Sequence, residues 1–326
     1  MSNIGFKAVA SAAVVALWTQ WRLATLDRAG HAPSAIEWRW FSLLMCQLLR
    51  FYSWVMGVRI LSESGEGLQC DPARRYMITW HPHGFIVYCP IFLLAEHSIR
   101  GTPTGGRWHC TGAPIMFKTP GIGDLIQVLG GRPVDKKTLT RVMDEGGGVA
   151  IQPGGMAEQA ATRHDQEAAY FPANLGFIRM AIKYGTPLVI LYVFGENQLY
   201  KRSGNDGGFY SKLTVFIKKL TGMTVPIVTA KFGIPMAMLL PIRTDIHARW
   251  GSPVEVGPPE EHPSDERVEE VFARYLEELR RVFYANAHDC LPPEVAARGL
   301  KIVRADGKPV PEWAPGPSAT AGRSKL

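Results

Sequence analysis

His81 and His83 flank Pro82 at the end of an apolar, β-prone run, RRYMITWHPHGFIVY, which extends from Arg74 to Tyr88. Two imidazoles so placed can hold a metal ion, move a proton or simply fill space. Tyr76 to Trp80 favours a strand, and Pro82 pushes His81 toward an extended conformation while fixing its own φ. Successive extended residues point to opposite faces, so both histidines are expected on one side of the chain as it leaves the strand. Gly84 then permits a sharp turn. Phe85 to His97 is apolar enough for a buried or membrane-facing helix, kinked at Pro90. Strand, tight polar turn and apolar segment together form a place where α/β enzymes present catalytic groups.

A second loop of interest is GGGVAIQPGGMAEQ, Gly146 to Gln159. Its apolar strand runs into Pro153, Gly154 and Gly155, with Glu158 just beyond. Glycines let the backbone turn and expose N–H groups, and a helix starting there would add partial positive charge, suiting a phosphate or a developing oxyanion. An ordinary surface turn has the same composition. Glu196 and Asn197, in FGENQLY, follow a strand too apolar to be exposed, and polar groups at such a strand end often face a site.

The elements that must position these groups alternate. Expected strands are YMIT, GVAIQ, PLVILYVFG and ARWGSPVEV; expected helices run over 137–145 and 175–184, the latter ended by Gly185 and Pro187. Alternation of this kind predicts an α/β domain with a largely parallel sheet flanked by helices. After the Pro-rich VGPPEEHPSD, Val268, Val271, Phe272, Tyr275, Leu276, Leu279, Val282 and Phe283 form one apolar stripe of a helix with Ser264 or Asp265 as N-cap. That stripe should pack on the domain.

The 326 residues suffice for a full core, and 46% hydrophobic content excludes general disorder. Lys+Arg 36 against Asp+Glu 29 gives 36 − 29 = +7, compatible with a phosphate-bearing ligand or an anionic bilayer. Cys46, Cys70, Cys89, Cys110 and Cys290 are dispersed and never form a C-x-x-C pair, which indicates neither a disulfide framework nor a zinc knuckle. Ala8 to Thr19 is apolar but too short to cross a bilayer unaided. The block RWFSLLMCQLLRFYSWVMG carries Arg50 at its middle and several aromatic rings, so a monotopic or re-entrant membrane arrangement is expected over a clean span; a buried amphipathic hairpin uses the same residues. No nucleic-acid partner is expected.

DPARRYMITWHPHG, GGMAEQ, GFIRMAIKYGTPLVILYVFGENQLY and FGIPMAMLLPIRTDIHARWGSPVEV, in that order, resemble the type 2 diacylglycerol acyltransferase family, which includes monoacylglycerol and wax-alcohol acyltransferases. The likeness covers roughly Asp71 to Val303, and its 25-residue block from Gly176 to Tyr200 is the most specific part. It implies a membrane enzyme that moves a fatty acyl group from acyl-CoA to a glycerolipid hydroxyl. It also implies an α/β fold like that of glycerol-phosphate acyltransferases, with a mixed, mostly parallel sheet and an N-terminal membrane-embedded helical segment.

Within that family His81, Pro82, His83 and Gly84 correspond to the active-site signature. His83 is expected to be the general base, and His81 its partner or a donor to the thioester carbonyl. Acyl-CoA is the co-substrate and no cofactor is expected. Glycerol-phosphate acyltransferases place an orienting Asp five residues after their histidine. Here Ile86 and Tyr88 stand at the positions so counted, and Glu158 is the candidate to orient the ring from a distance. Gly154 and Gly155 would steady the oxyanion or the CoA phosphates, with Lys118 or Arg132 as salt partners. Glu196 and Asn197 take a structural or substrate-facing role. Two departures bear on substrate preference: Asn174 and Leu175 stand where the family usually has basic residues, and a Tyr-Phe-Pro element upstream of the histidines is missing.

The expected domains are a hydrophobic membrane-attachment region over 1–65, a catalytic domain over 66–303 and a disordered tail over 304–326. The family implies the endoplasmic reticulum membrane or lipid droplets, whereas the terminal Ser-Lys-Leu is a peroxisomal address. Two rival readings remain. A metal-dependent hydrolase would use His81 and His83 with further ligands from His97, His109, His164, His247 or Asp245, and a non-catalytic lipid-binding protein would use the N-terminal apolar segments.

Overall fold

The computed structural model describes residues 39–310, apart from 64–69, 72, 90–107, 119–122, 124–125, 128–129, 204–207, 210–211, 214, 217–218, 220–226, 235–239 and 243. The Ala8–Thr19 segment, His97 and the terminal Ser-Lys-Leu lie outside the described residues, as does everything expected of Pro90 onward in the helix after His83. In chain order the elements are α1 (Arg39–Met56), β1 (Arg59–Glu63), β2 (Met77–His81), β3 (Trp108–Gly112), α2 (Pro114–Lys118), β4 (Arg132–Pro133), α3 (Lys136–Asp144), β5 (Gly148–Ile151), α4 (Gly155–Ala161), β6 (Glu167–Phe171) and α5 (Gly176–Lys183). There follow β7 (Leu188–Phe194), a 3₁₀ turn (Asn197–Leu199), β8 (Lys201–Arg202), β9 (Val228–Thr229), β10 (Asp245–Trp250), α6 (Asp265–Cys290), α7 (Pro293–Arg298) and β11 (Leu300–Arg304).

Seven described strands form one sheet in the order β1-β10-β7-β2-β5-β3-β4, and only β10 against β7 is antiparallel. The expected mixed, mostly parallel α/β sheet is what the chain adopts. Its centre is β7, LVILYVF, whose seven residues are all buried; a strand covered on both faces has no need of polar alternation. Beside it, β2 divides its side chains between two cores. Met77 joins the cluster under α5 and α6, while Ile78 and Trp80 join the cluster under α1.

The apolar stripe of α6 seats the helix on this sheet: Val268, Val271, Phe272, Tyr275, Leu276, Leu279, Val282 and Phe283 are all buried. Ser264 caps it by accepting a hydrogen bond from the Arg267 backbone N–H at 3.2 Å. Burial of each large apolar side chain contributes about 1.5–3 kcal/mol, so this helix is a principal holdfast of the domain.

Several expectations are corrected. Phe85 to Tyr88 form no helix, since their backbone is bound by side chains described below. The expected strand ARWGSPVEV begins earlier, at Asp245, and ends at Trp250; beyond it only Val254 makes an isolated bridge, to Leu188. β1 pairs with β10 inside the main sheet, so the boundary placed between 65 and 66 lies after a strand of that sheet. Arg304 to Lys308, placed in the tail, are bonded to the domain. Arg304 closes a strand on β6 and bonds Glu269 and Asp306, and Lys308 bonds Glu269 at 3.0 Å.

Helix α1 is a single helix and not a hairpin. Cys46 and Ser53 are buried, whereas Leu44, Leu48, Phe51, Trp54 and Val55 are exposed, Trp54 by 76%. Among the described residues no helix is long and apolar enough to cross a membrane.

Replacing Leu279 with Ala is expected to cost about 2–5 kcal/mol through lost packing and the cavity left behind. Thermal unfolding of detergent-purified protein should show a clear drop in midpoint, while exposed Glu277→Ala should stay within about 0.5 kcal/mol of the parent.

Candidate active site

The chain leaves β2 at His81 and enters the loop Pro82 to Cys89, most of which is buried. Buried backbone N–H and C=O groups need partners, and here four side chains supply them. Glu158 Oε1 accepts the His83 N–H at 2.6 Å, and Gln159 Nε2 donates to the Phe85 carbonyl at 2.9 Å. Gln152 Nε2 donates to the Pro82 carbonyl at 3.3 Å. Glu196 accepts from the N–H groups of Tyr88 and Cys89. Gly84 sits at φ 67°, and a Cβ there would lie 2.7 Å from Glu196 Cγ, so only glycine fits.

The two histidines do not share an environment. His81 is fully buried: its Nε2 is 2.8 Å from the Tyr275 hydroxyl, its ring packs on Phe171, and its Nδ1 faces Glu158 Oε2 at 3.9 Å without a hydrogen-bond partner. Both nitrogens thus face protein groups. His83 is only partly buried, and its Nδ1 lies 3.2 Å from the Gly84 carbonyl. A carbonyl only accepts, so Nδ1 carries the proton and Nε2 the lone pair.

Burial sets the charges. It lowers His81 to about 3 and His83 to about 4, the bond to the Gly84 carbonyl partly offsetting the fall at His83. Burial likewise raises Glu158 and Glu196 each to about 8, although the N–H groups they accept pull the other way. Burial thus favours the uncharged form of both imidazoles and of both carboxyls. The role given to Glu158 changes accordingly: it holds the backbone of His83, and its neighbouring ring is that of His81.

The other expected residues divide. Asn197 Nδ2 donates to Glu167 at 3.1 Å in a buried network with Tyr192 and Gln198, whereas Glu196 accepts from the loop backbone. Gly154 leaves space for Glu158, since a Cβ would collide with its Oε2 and come within 2.9 Å of Tyr170. The Gly155 N–H closes a turn onto the Gln152 carbonyl at 3.2 Å and does not face outward as an oxyanion donor. Arg132 is buried and donates to the Gly131 carbonyl; Lys118 is exposed. Leu175 adopts φ 43° at the start of α5, a left-handed conformation that costs an ordinary residue roughly 1–2 kcal/mol.

Gln152, Gln159 and Tyr275 were not foreseen as site residues. Gln152 and Gln159 stand in the glycine loop already singled out, and Tyr275 was hidden among apolar neighbours in the α6 stripe. Among the described residues no group of three His, Cys, Asp or Glu side chains is placed to hold a metal ion, so the ligand set required by a metal-dependent hydrolase is not assembled there. A cavity of about 690 Å³ lies between α3 and α5, floored by Met77, Val149, Ile151 and Phe177. Lys136, Arg179 and Lys183 line it, the last two paired with Asp265 and Glu261.

Residues 9–292 match the family described as Diacylglycerol acyltransferase. The chain is 29% identical over 240 residues to "Diacylglycerol O-acyltransferase 2" of Dictyostelium discoideum, covering 71% of each protein. It is 28% identical over 225 residues to "2-acylglycerol O-acyltransferase 1" of Bos taurus, covering 65% of each. Among solved structures it is similar to the 1-acyl-sn-glycerophosphate acyltransferase PlsC of Thermotoga maritima, with 14% identity and a TM-score of 0.41 over 81% of this chain and 95% of that one.

The buried carboxyls make stability depend on pH. The folded chain holds these protons up to about 8, whereas the unfolded chain releases them near 4.5. Between those values the folded state binds more protons, so stability falls as pH rises. Glu158→Gln and Glu196→Gln should each flatten that decline in a plot of melting temperature against pH; an unchanged slope in both would show that neither carboxyl is held protonated.

Proposed function

The chain belongs to the diacylglycerol acyltransferase family and is an acyltransferase; we propose that it transfers the acyl group of acyl-CoA to diacylglycerol, making triacylglycerol, with His83 as general base. The observation that carries the mechanism is the His83 ring, whose Nδ1–H is held by the Gly84 carbonyl. Nε2 then presents a lone pair in one fixed tautomer. An alcohol is a poor nucleophile until its proton is taken, and a neutral imidazole takes it.

In the proposed step the acceptor hydroxyl gives its proton to His83 Nε2 while its oxygen attacks the thioester carbon. The tetrahedral intermediate expels the CoA thiolate, which takes the proton back from His83, leaving an oxygen ester and free CoA. No acyl-enzyme forms and no metal or cofactor takes part. Burial works in both directions here. It keeps His83 unprotonated, hence always available, yet a conjugate acid of about 4 makes it a weak base. Positioning must therefore supply much of the rate.

Relatives named for diacylglycerol and for 2-acylglycerol support an acceptor of the glycerolipid-hydroxyl class. Monoacylglycerol or a long-chain alcohol is the second choice of acceptor. The exposed apolar side of α1, with Trp54 and Phe51 beside Arg50, supports attachment at a bilayer surface, where aromatic rings sit at headgroup level. We place the enzyme at the endoplasmic reticulum membrane and lipid droplets, with the peroxisome as the alternative raised by the terminal Ser-Lys-Leu.

Microsomes expressing the chain, given labelled acyl-CoA and each acceptor in turn, should make triacylglycerol fastest from diacylglycerol. His83→Ala should lower the rate by about 100- to 10,000-fold, and unchanged transfer in washed membranes would rule out the base role. Because protonation disables the base, the acid limb of the rate profile should fall near pH 4 instead of near 6.5. Imaging of N-terminally tagged protein with and without Leu326 distinguishes the compartments.

A further inference from the structure

A buried chain of hydroxyls reaches His81 from the C-terminal helix. The Thr79 hydroxyl donates to the Val189 carbonyl at 3.5 Å, which leaves its oxygen to accept from the Tyr275 hydroxyl at 2.7 Å. With its proton directed to Thr79, the Tyr275 oxygen is an acceptor toward His81, whose Nε2 lies 2.8 Å away. A nitrogen facing an acceptor must carry the proton. His81 is thereby fixed as its Nε2–H tautomer, and the lone pair falls on Nδ1, which is buried, has no hydrogen-bond partner and faces Glu158 Oε2 at 3.9 Å.

We infer that Tyr275 is a positioning residue for acyl transfer: by fixing the His81 tautomer, its hydroxyl keeps a lone pair and not an N–H toward Glu158, so that Glu158 is not drawn off the His83 backbone N–H that it holds. The opposite tautomer would aim an Nδ1–H at Glu158, stabilise its ionised form and draw it toward His81, away from the His83 N–H that it accepts at 2.6 Å. Of the other groups around this carboxyl, Glu167 from β6, Tyr192 from β7 and Tyr275 from α6 supply no positive charge, whereas the Tyr170 N–H, its other donor among the described residues, favours the ionised form. Tyr275 thus stands, through His81 and Glu158, in the orienting role that Ile86 and Tyr88 cannot fill. The inference rests on the reading of His83 as the base.

Two variants of the full-length chain in liposomes test it. Tyr275→Phe removes the acceptor but keeps the ring packed. Thr79→Val keeps Tyr275 and frees its proton to turn toward His81 Nε2, which favours the other tautomer. Solid-state NMR of 15N-labelled histidine, with His81 identified by its loss in His81→Gln, should show Nε2–H in the parent and a gain of Nδ1–H in both variants. In both, kcat should fall about tenfold or more, the scale expected when a reacting group is misplaced, with KM for acyl-CoA within about twofold. An Nδ1–H signal in the parent, or parental kcat in both variants, overturns the inference. If His83→Ala is inactive while both variants match the parent, this inference alone fails; if His83→Ala is active, the base reading fails and takes this inference with it.

Discussion

The buried backbone of the loop after β2 is the constraint on which the site depends. A loop sunk into a protein carries N–H and C=O groups that water cannot reach, and each one left unpaired costs about 1–3 kcal/mol. Gln152, Glu158, Gln159 and Glu196 meet that demand from two separate stretches of chain. The loop therefore forms only when the end of β5, the start of α4 and the end of β7 have converged on it. Tertiary assembly and the presentation of His83 are one event.

The same burial governs the chemistry. Charged carboxylates would suffer in this setting, so burial pushes Glu158 and Glu196 toward the neutral acid even as they accept backbone N–H groups. Neutral carboxyls beside neutral imidazoles leave no fixed ion pair near His83 and no field that would favour its protonated form. A site built in this manner depends on geometry more than on basicity, and the rigid supports of β2, β7 and α6 are where such geometry is set.

The sheet also separates two kinds of surface. On one face α5 and α6 cover the strands, and Thr79, His81 and Tyr275 meet in that interior. On the other, α1 buries one side and leaves Leu44, Leu48, Phe51 and Trp54 open. The site loop lies at the end of β2, between the covered face and the helix with the open apolar side.

Much of this was legible in the chain itself. The fully apolar LVILYVF identified the central strand, the stripe from Val268 to Phe283 identified α6, and the order of strand and helix runs identified a mostly parallel α/β sheet, because burial patterns are periodic and local. His81, His83 and Glu158 were selected by residue type and turn chemistry. The resemblance gave His83 the role of base and His81 that of partner, but alternation along a strand says nothing about which ring meets Tyr275, 194 residues away. Nor could sequence alone show that Glu196 accepts from the loop backbone while Asn197 joins a buried network. Local propensity is written in neighbouring residues, but desolvation, tautomer and hydrogen-bond partner are properties of the packed neighbourhood, and only the tertiary structure decided those.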